Sequence, residues 1–118
     1  MERFRRSFSC AIQGIVYSIT SGRNMKIHLL AAIIAISIAF VLGVNRIEWT
    51  LLMLAIFMVL SAETINTAIE RTVDLITEEN HPLAKLAKDL AAGGVLLTAI
   101  NAVVIAVLVF GPYLIKLI

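Results

Sequence analysis

The sequence predicts an all-α integral membrane protein, with an N-terminal amphipathic surface helix followed by three transmembrane helices. Three observations lead there. Hydrophobic residues make up 60% of the 118 positions and mean hydropathy is +0.96, against roughly 45–50% apolar usage in soluble domains. Three apolar runs are each long enough for a span, which needs about 20 residues to cross roughly 30 Å of hydrocarbon. Net charge is only +2, and arginine and lysine gather beside those runs rather than along a stripe with interleaved aromatics, which argues against nucleic acid as a partner. A single domain over residues 1–118 is the limit at this length. Three spans alone offer little interior in which to shield a polar site from lipid, which favours self-association.

The elements follow in order. Phe4, Phe8, Ala11, Ile12, Ile15, Val16 and Ile19 recur at helical spacing with Arg5, Ser9, Gln13 and Thr20 opposite, predicting an amphipathic helix over 4–20. Arg3, Arg5 and Arg6 at its start suit it either to a membrane surface or to a groove against the spans. No apolar core with a small-residue cleavage site follows these arginines, which argues against a cleaved signal peptide. The lone Cys10 can form neither an intrachain disulfide nor a multi-thiolate metal site.

The first span is expected over about 27–44, apolar except for His28 and Ser37. His28 reads as a structural side chain more readily than as a ligand, since His81 lies too far along the chain to complete a metal site. Gly43 to Glu48 form a polar turn, and Trp49 stands where an interfacial aromatic belongs. The second span, 49–76, is apolar to Ala62, then keeps its helical pattern through Glu63, Asn66, Glu70 and Asp74 with no glycine or proline to stop it. Thr77 to Pro82 break the chain, and Pro82 suits the first turn of a third span over 83–115. Gly93-Gly94 invite close helix packing, and Gly111-Pro112 with Tyr113 mark the far interface. Arg3, Arg5, Arg6, Arg23 and Lys26 precede the first span, and Arg71, Lys85 and Lys88 flank the second loop. The positive-inside rule therefore places the N-terminus and the 77–89 loop in the cytoplasm.

Chemistry concentrates on the second span. Of the eight acidic residues, Glu63, Glu70, Asp74, Glu78, Glu79 and Asp89 fall in one stretch. Glu63, Asn66, Glu70 and Asp74 share a helix face within about 80°. At about 1.5 Å per residue from Trp49, Glu63 is roughly 21 Å along the helix, Glu70 roughly 32 Å and Asp74 roughly 38 Å. The polar face thus begins in the inner leaflet and ends in the cytosol. An ionisable group at the depth of Glu63 is a functional candidate by default, although Glu63 and Asn66 could also simply bind helices together. Glycine-rich phosphate loops of the soluble nucleotide-binding type are absent from the sequence. Carboxylates facing the cytosol could instead hold Mg²⁺ bridged to substrate phosphates, and a deeper one could deprotonate a lipid hydroxyl.

The run Glu63-Thr64-Ile65-Asn66-Thr67-Ala68-Ile69-Glu70-Arg71-Thr72-Val73-Asp74, followed by Ala87-Lys88-Asp89-Leu90-Ala91-Ala92-Gly93, closely resembles the signature of the prokaryotic diacylglycerol kinase and undecaprenol kinase family. The likeness extends over nearly the whole chain, including the basic N-terminus and the Arg23-Asn24-Met25-Lys26-Ile27-His28 entry to the first span. It implies a homotrimer with active sites between subunits, transferring the γ-phosphoryl group of ATP, with Mg²⁺, to a membrane lipid alcohol. The short Arg-Asn-Met-Lys-Ile-His form resembles the Gram-positive branch and so implies undecaprenol, with diacylglycerol as the alternative acceptor. By the same resemblance, Glu63 is the base and Glu70 a Mg²⁺ ligand within the nucleotide site, while Asn66 and Asp74 organise that site. Glu79, Asn80, His81, Lys88 and Asp89 would contact the nucleotide, with Arg3 or Arg6 reaching it from the first helix. Where the family usually places a second metal-binding glutamate this chain has Gly22, so Gly22→Glu is expected to strengthen use of Mg·ATP. Outside the family, an embedded Glu63 would also suit a small cation- or proton-coupled transporter, or a non-catalytic membrane assembly subunit.

Overall fold

A computed structural model describes residues 1–118 as four helices: α1 (Glu2–Ser21), α2 (Met25–Leu42), α3 (Arg46–Ile76) and α4 (Pro82–Leu117). The last three are long and apolar enough to cross a membrane. Each boundary has a local cause. At the α2–α3 turn Gly43 adopts the left-handed region, φ 66° and ψ 46°, which a side chain would resist. This ends α2 at Leu42, short of the expected 44. Asn45 then starts α3 ahead of Trp49: its Oδ1 accepts from Glu48 N at 2.9 Å, and Glu48 Oε1 accepts from Asn45 N at 3.0 Å, a reciprocal capping box. Past the short 77–81 loop, His81 Nδ1 accepts from Leu83 N at 3.1 Å and Pro82 occupies the first turn, where its missing N–H costs nothing. Helix α4 passes through Gly111-Pro112 to Leu117. The proline lies so near the end that its ring disturbs only the final turns.

Helices α3 and α4 form the antiparallel spine. At one end Tyr113 Oη donates to Glu48 Oε1; at the other Lys88 Nζ donates to Asp74 Oδ1 at 2.6 Å. Helix α2 packs beside the spine, and α1 reaches it through its last turns. There Ser18, 1% exposed, lies 3.3 Å from Thr64 Oγ1. Thr64 gives its own proton to Leu60 O, so Ser18 is the donor.

Only 15 of the 118 residues are buried, and they fall into two unlike regions. At the Gly43 end, Ala39, Val44, Leu52, Val109 and Phe110 form an apolar core, beside which Phe40 and Trp49 meet edge to face at 4.8 Å. Towards the opposite end the buried residues include Ser18, Glu63, Asn66 and Thr67. The outward faces carry Ile, Leu, Val and Phe throughout, so the surface is apolar, and the few buried polar groups are turned away from it, as a hydrocarbon solvent requires. Gly93 and Gly94 do not serve the close packing expected of them within the chain, since no atom lies within 4 Å of a Cβ added at either.

The capping box predicts that Asn45→Ala costs about 1 kcal/mol, read as a lowered midpoint of thermal unfolding in lipid nanodiscs. Asn45→Asp, which keeps the acceptor oxygen, should unfold close to wild type.

Candidate active site

Along one face of α3 the polar residues run from a sealed end to an open one. Glu63 is 1% exposed, and neither carboxyl oxygen has a hydrogen-bond donor; Asn66 Oδ1 is likewise buried and unpartnered. The nearest basic group is His28 Nε2, 3.7 Å from Glu63 Oε2 and beyond hydrogen-bond reach. A buried carboxylate without donors is costly. The chain thus leaves three buried acceptor oxygens on this face, two from Glu63 and one from Asn66, without a donor.

His28 also stands at one end of an apolar crevice of about 250 Å³ between α2, α3 and α4. Alanines such as Ala32, Ala35, Ala55, Ala99 and Ala102 line it, and their small side chains keep the helices from filling the space. Glu63 does not line the crevice itself; His28, which does, brings Nε2 within 3.7 Å of the Glu63 carboxyl group. The sequence pointed to no role for His28; its one signal there was a titratable side chain in an otherwise apolar run.

Two turns further on, Glu70 is half-buried, and its Oε1 accepts from Asn66 Nδ2 at 2.8 Å. This bond aims the Glu70 carboxylate and leaves Asn66 Oδ1 facing the interior. Glu70 lines a cleft of about 290 Å³ with Ser21, Gly22, Arg23, Thr67 and Arg71, where no hydrophobic residue takes part. Arg71 Nε donates to Tyr17 Oη at 2.8 Å, and the guanidinium lies 5.8 Å over the Tyr17 ring. One carboxylate with hydroxyl oxygens from Thr67 and Ser21 is a hard-oxygen donor set. It fits Mg²⁺, which takes one or two carboxylates together with substrate phosphates. Within one chain no three His, Cys, Asp or Glu side chains converge.

The remaining residues singled out by sequence are spread apart. Asp74 holds Lys88 through the 2.6 Å bond, with both side chains about 40% exposed. Asp89 turns away from this pair to Lys85, one turn back on α4, at 2.6 Å. Glu79, Asn80 and His81 are exposed in the loop. Arg3 and Arg6 lie at the free end of α1; Arg3 is roughly 21 Å along the helix from Tyr17 at about 1.5 Å per residue. Within one chain, therefore, Glu63, Asn66, Glu70 and Thr67 come together, whereas Arg3, Arg6, Glu79, Asn80, His81 and Asp89 do not join them.

The profile of the prokaryotic diacylglycerol kinase family matches residues 9–110. The chain is 43% identical over 114 residues to the undecaprenol kinase of Bacillus subtilis, covering 97% of this chain and 93% of that protein. It is 39% identical over 112 residues to the diacylglycerol kinase of Synechocystis, covering 94% of this chain and 64% of the relative. Over 74 residues it is 39% identical to the diacylglycerol kinase of Escherichia coli K12, 63% of this chain and 61% of that one.

The benefit expected of a glutamate at position 22 meets a steric obstacle. Gly22 is buried, and a Cβ there would run into the Ser18 carbonyl oxygen that receives the Gly22 N–H. Gly22→Glu must first displace the end of α1, so it is expected to lower the midpoint of thermal unfolding, with Gly22→Ala doing so comparably. A glutamate that leaves stability unchanged would show that the α1–α2 turn yields freely.

Proposed function

The chain belongs to the prokaryotic diacylglycerol kinase family and is a lipid kinase, and we propose that it phosphorylates undecaprenol to undecaprenyl phosphate with Mg·ATP. As a lipid kinase it is neither the transporter nor the non-catalytic subunit that an embedded Glu63 alone would allow. The observation that carries the proposal is the burial of Glu63, with both carboxyl oxygens free of donors, beside an alanine-lined apolar crevice. A long hydrocarbon chain can lie in such a crevice while its terminal hydroxyl reaches the carboxylate. Undecaprenol is favoured over diacylglycerol because the undecaprenol kinase of Bacillus subtilis matches over 97% of this chain at 43% identity, whereas the relatives named diacylglycerol kinase match at lower identity.

In this reading Glu63 removes the hydroxyl proton as the lipid oxygen bonds to the γ-phosphorus. The bond from that phosphorus to the β–γ bridging oxygen breaks, and ADP leaves. Glu70, steadied by Asn66, would hold a Mg²⁺ ion arriving with the nucleotide. When bound, that ion offsets phosphate charge as it redistributes during transfer. Lys88, held by Asp74, places a second positive charge beside the phosphates. Glu79, Asn80, His81, Asp89 and Arg3 or Arg6 contact the nucleotide from neighbouring copies in a homotrimer, which answers their separation from Glu70 within one chain. The whole of 1–118 acts as one membrane-embedded kinase domain in the cell membrane. Its N-terminus and the 77–89 loop face the cytoplasm, where ATP is found.

The test is phosphorylation by purified protein in lipid nanodiscs supplied with Mg²⁺ and ATP, comparing undecaprenol, diacylglycerol and no added lipid. Undecaprenol should be turned over faster; a preference for diacylglycerol would replace the acceptor assignment. Glu63→Gln and Glu70→Gln should each reduce transfer by about 10²-fold or more with oligomer size unchanged. Near wild-type turnover in both would remove the mechanism.

A further inference from the structure

The cleft around Glu70 carries more positive charge than these roles use. Two of its six lining residues are arginines, Arg23 and Arg71, against the single carboxylate of Glu70. Neither forms a direct ion pair, although the Glu70 and Asp74 carboxylates lie close enough to favour the charge on Arg71. The ion pairs of the chain are His28–Glu63, Lys85–Asp89 and Lys88–Asp74, and Glu70 accepts from Asn66 rather than from either guanidinium. Arg71 is nonetheless held in place: Nε bonds to the Tyr17 hydroxyl and the cation lies over the Tyr17 ring. That contact carries no countercharge and leaves the terminal amino groups of Arg71 without a partner in the chain. The Arg23 side chain bonds to nothing. Directly after it, Asn24 makes no side-chain cap, so the first N–H groups of α2 also lack acceptors at this turn.

Two unpaired guanidiniums, two hydroxyls and one carboxylate, with no apolar wall, match one ligand chemistry. Guanidinium forks bind phosphate oxygens bidentately, and the carboxylate takes the cation that accompanies a polyphosphate. Resting on the kinase reading above, we propose that Arg23 and Arg71 clamp the phosphates of the nucleotide directly. Position 22 offers no side chain with which to hold a second metal ion, and its surroundings leave no room for one. The adjacent Arg23 and the facing Arg71 supply through direct hydrogen bonds some of the charge that such an ion would bring. ATP therefore retains measurable affinity for this chain without divalent metal.

The clamp is tested by ATP binding to the purified protein in phosphatidylcholine nanodiscs, by calorimetry with Mg²⁺ and separately with EDTA. Wild type should bind in both. Arg23→Gln and Arg71→Gln should each weaken binding in EDTA by about tenfold or more, the order expected for losing charge-assisted hydrogen bonds. Glu70→Gln should bind ATP in EDTA at least as tightly as wild type, since a repelling charge is gone. Arg23 has no partner to lose, so Arg23→Gln tests the ligand contact without threatening the fold; Arg71→Lys shows whether the planar fork is needed. Wild-type affinity in both arginine variants, or no binding by wild type in EDTA, overturns the clamp. A lipid headgroup is the other source of phosphate. If phosphatidylglycerol binding depends on the two arginines while ATP affinity is the same in wild type and the arginine variants, the cleft is a headgroup site and the clamp is overturned. Lipid phosphorylation by wild type, measured alongside, judges the kinase mechanism separately: it persists if only the clamp is wrong.

Discussion

Hydrocarbon offers an unpaired carboxylate no water, and the arrangement of this chain follows from where Glu63 is placed. The side chain cannot face lipid, so α3 must turn that face inward, and the neighbouring helices must cover it without supplying a strong donor. Helix α2 contributes His28 at a distance too long for a hydrogen bond. Helix α1 closes the adjacent surface through Ser18 and Thr64. A tight ion pair would satisfy the acid and so remove its capacity to take a proton from a substrate. The cost of leaving it unsatisfied is borne by interactions elsewhere in the bundle.

Those interactions lie mainly at the other end. The apolar core, the Asn45–Glu48 capping box, the Tyr113–Glu48 bond and the Phe40–Trp49 contact all gather about the Gly43 turn. They join α2, α3 and α4 at one end, while the polar end is connected by single bonds such as Lys88–Asp74 and Arg71–Tyr17. Segments with few buried contacts open most readily, and these tie points are surface pairs of modest strength. The polar end can therefore open without disturbing the core. Glu63 and Glu70 are two helical turns apart, roughly 10 Å at about 1.5 Å per residue. The buried carboxylate and the exposed one are therefore fixed at that separation by a single rigid element.

The helices were legible because their causes are local. Apolar runs of spanning length, the lack of any breaker between Ala62 and Asp74, and proline at the start of α4 all act within a few residues. So does the 3.6-residue period, which aligns Glu63, Asn66, Glu70 and Asp74 on one face whatever lies opposite. Boundaries were less legible: α3 begins at Arg46 because Asn45 and Glu48 cap each other, whereas the interfacial preference of tryptophan drew attention to Trp49. The Gly93-Gly94 pair permits a close approach, but within one chain no partner comes within 4 Å of its Cβ positions.

Composition and periodicity alone thus determined the class of the molecule, its spans and the acidic face on α3. Tertiary structure decided what each member of that face meets: His28 and an apolar crevice for Glu63, a polar cleft with Arg23 and Arg71 for Glu70, and Lys88 for Asp74. The helical repeat sets only the direction in which a side chain leaves its own helix. The group waiting at the other end comes from residues such as Tyr17, His28 and Lys88, whose distance along the chain carries no information about their separation in space.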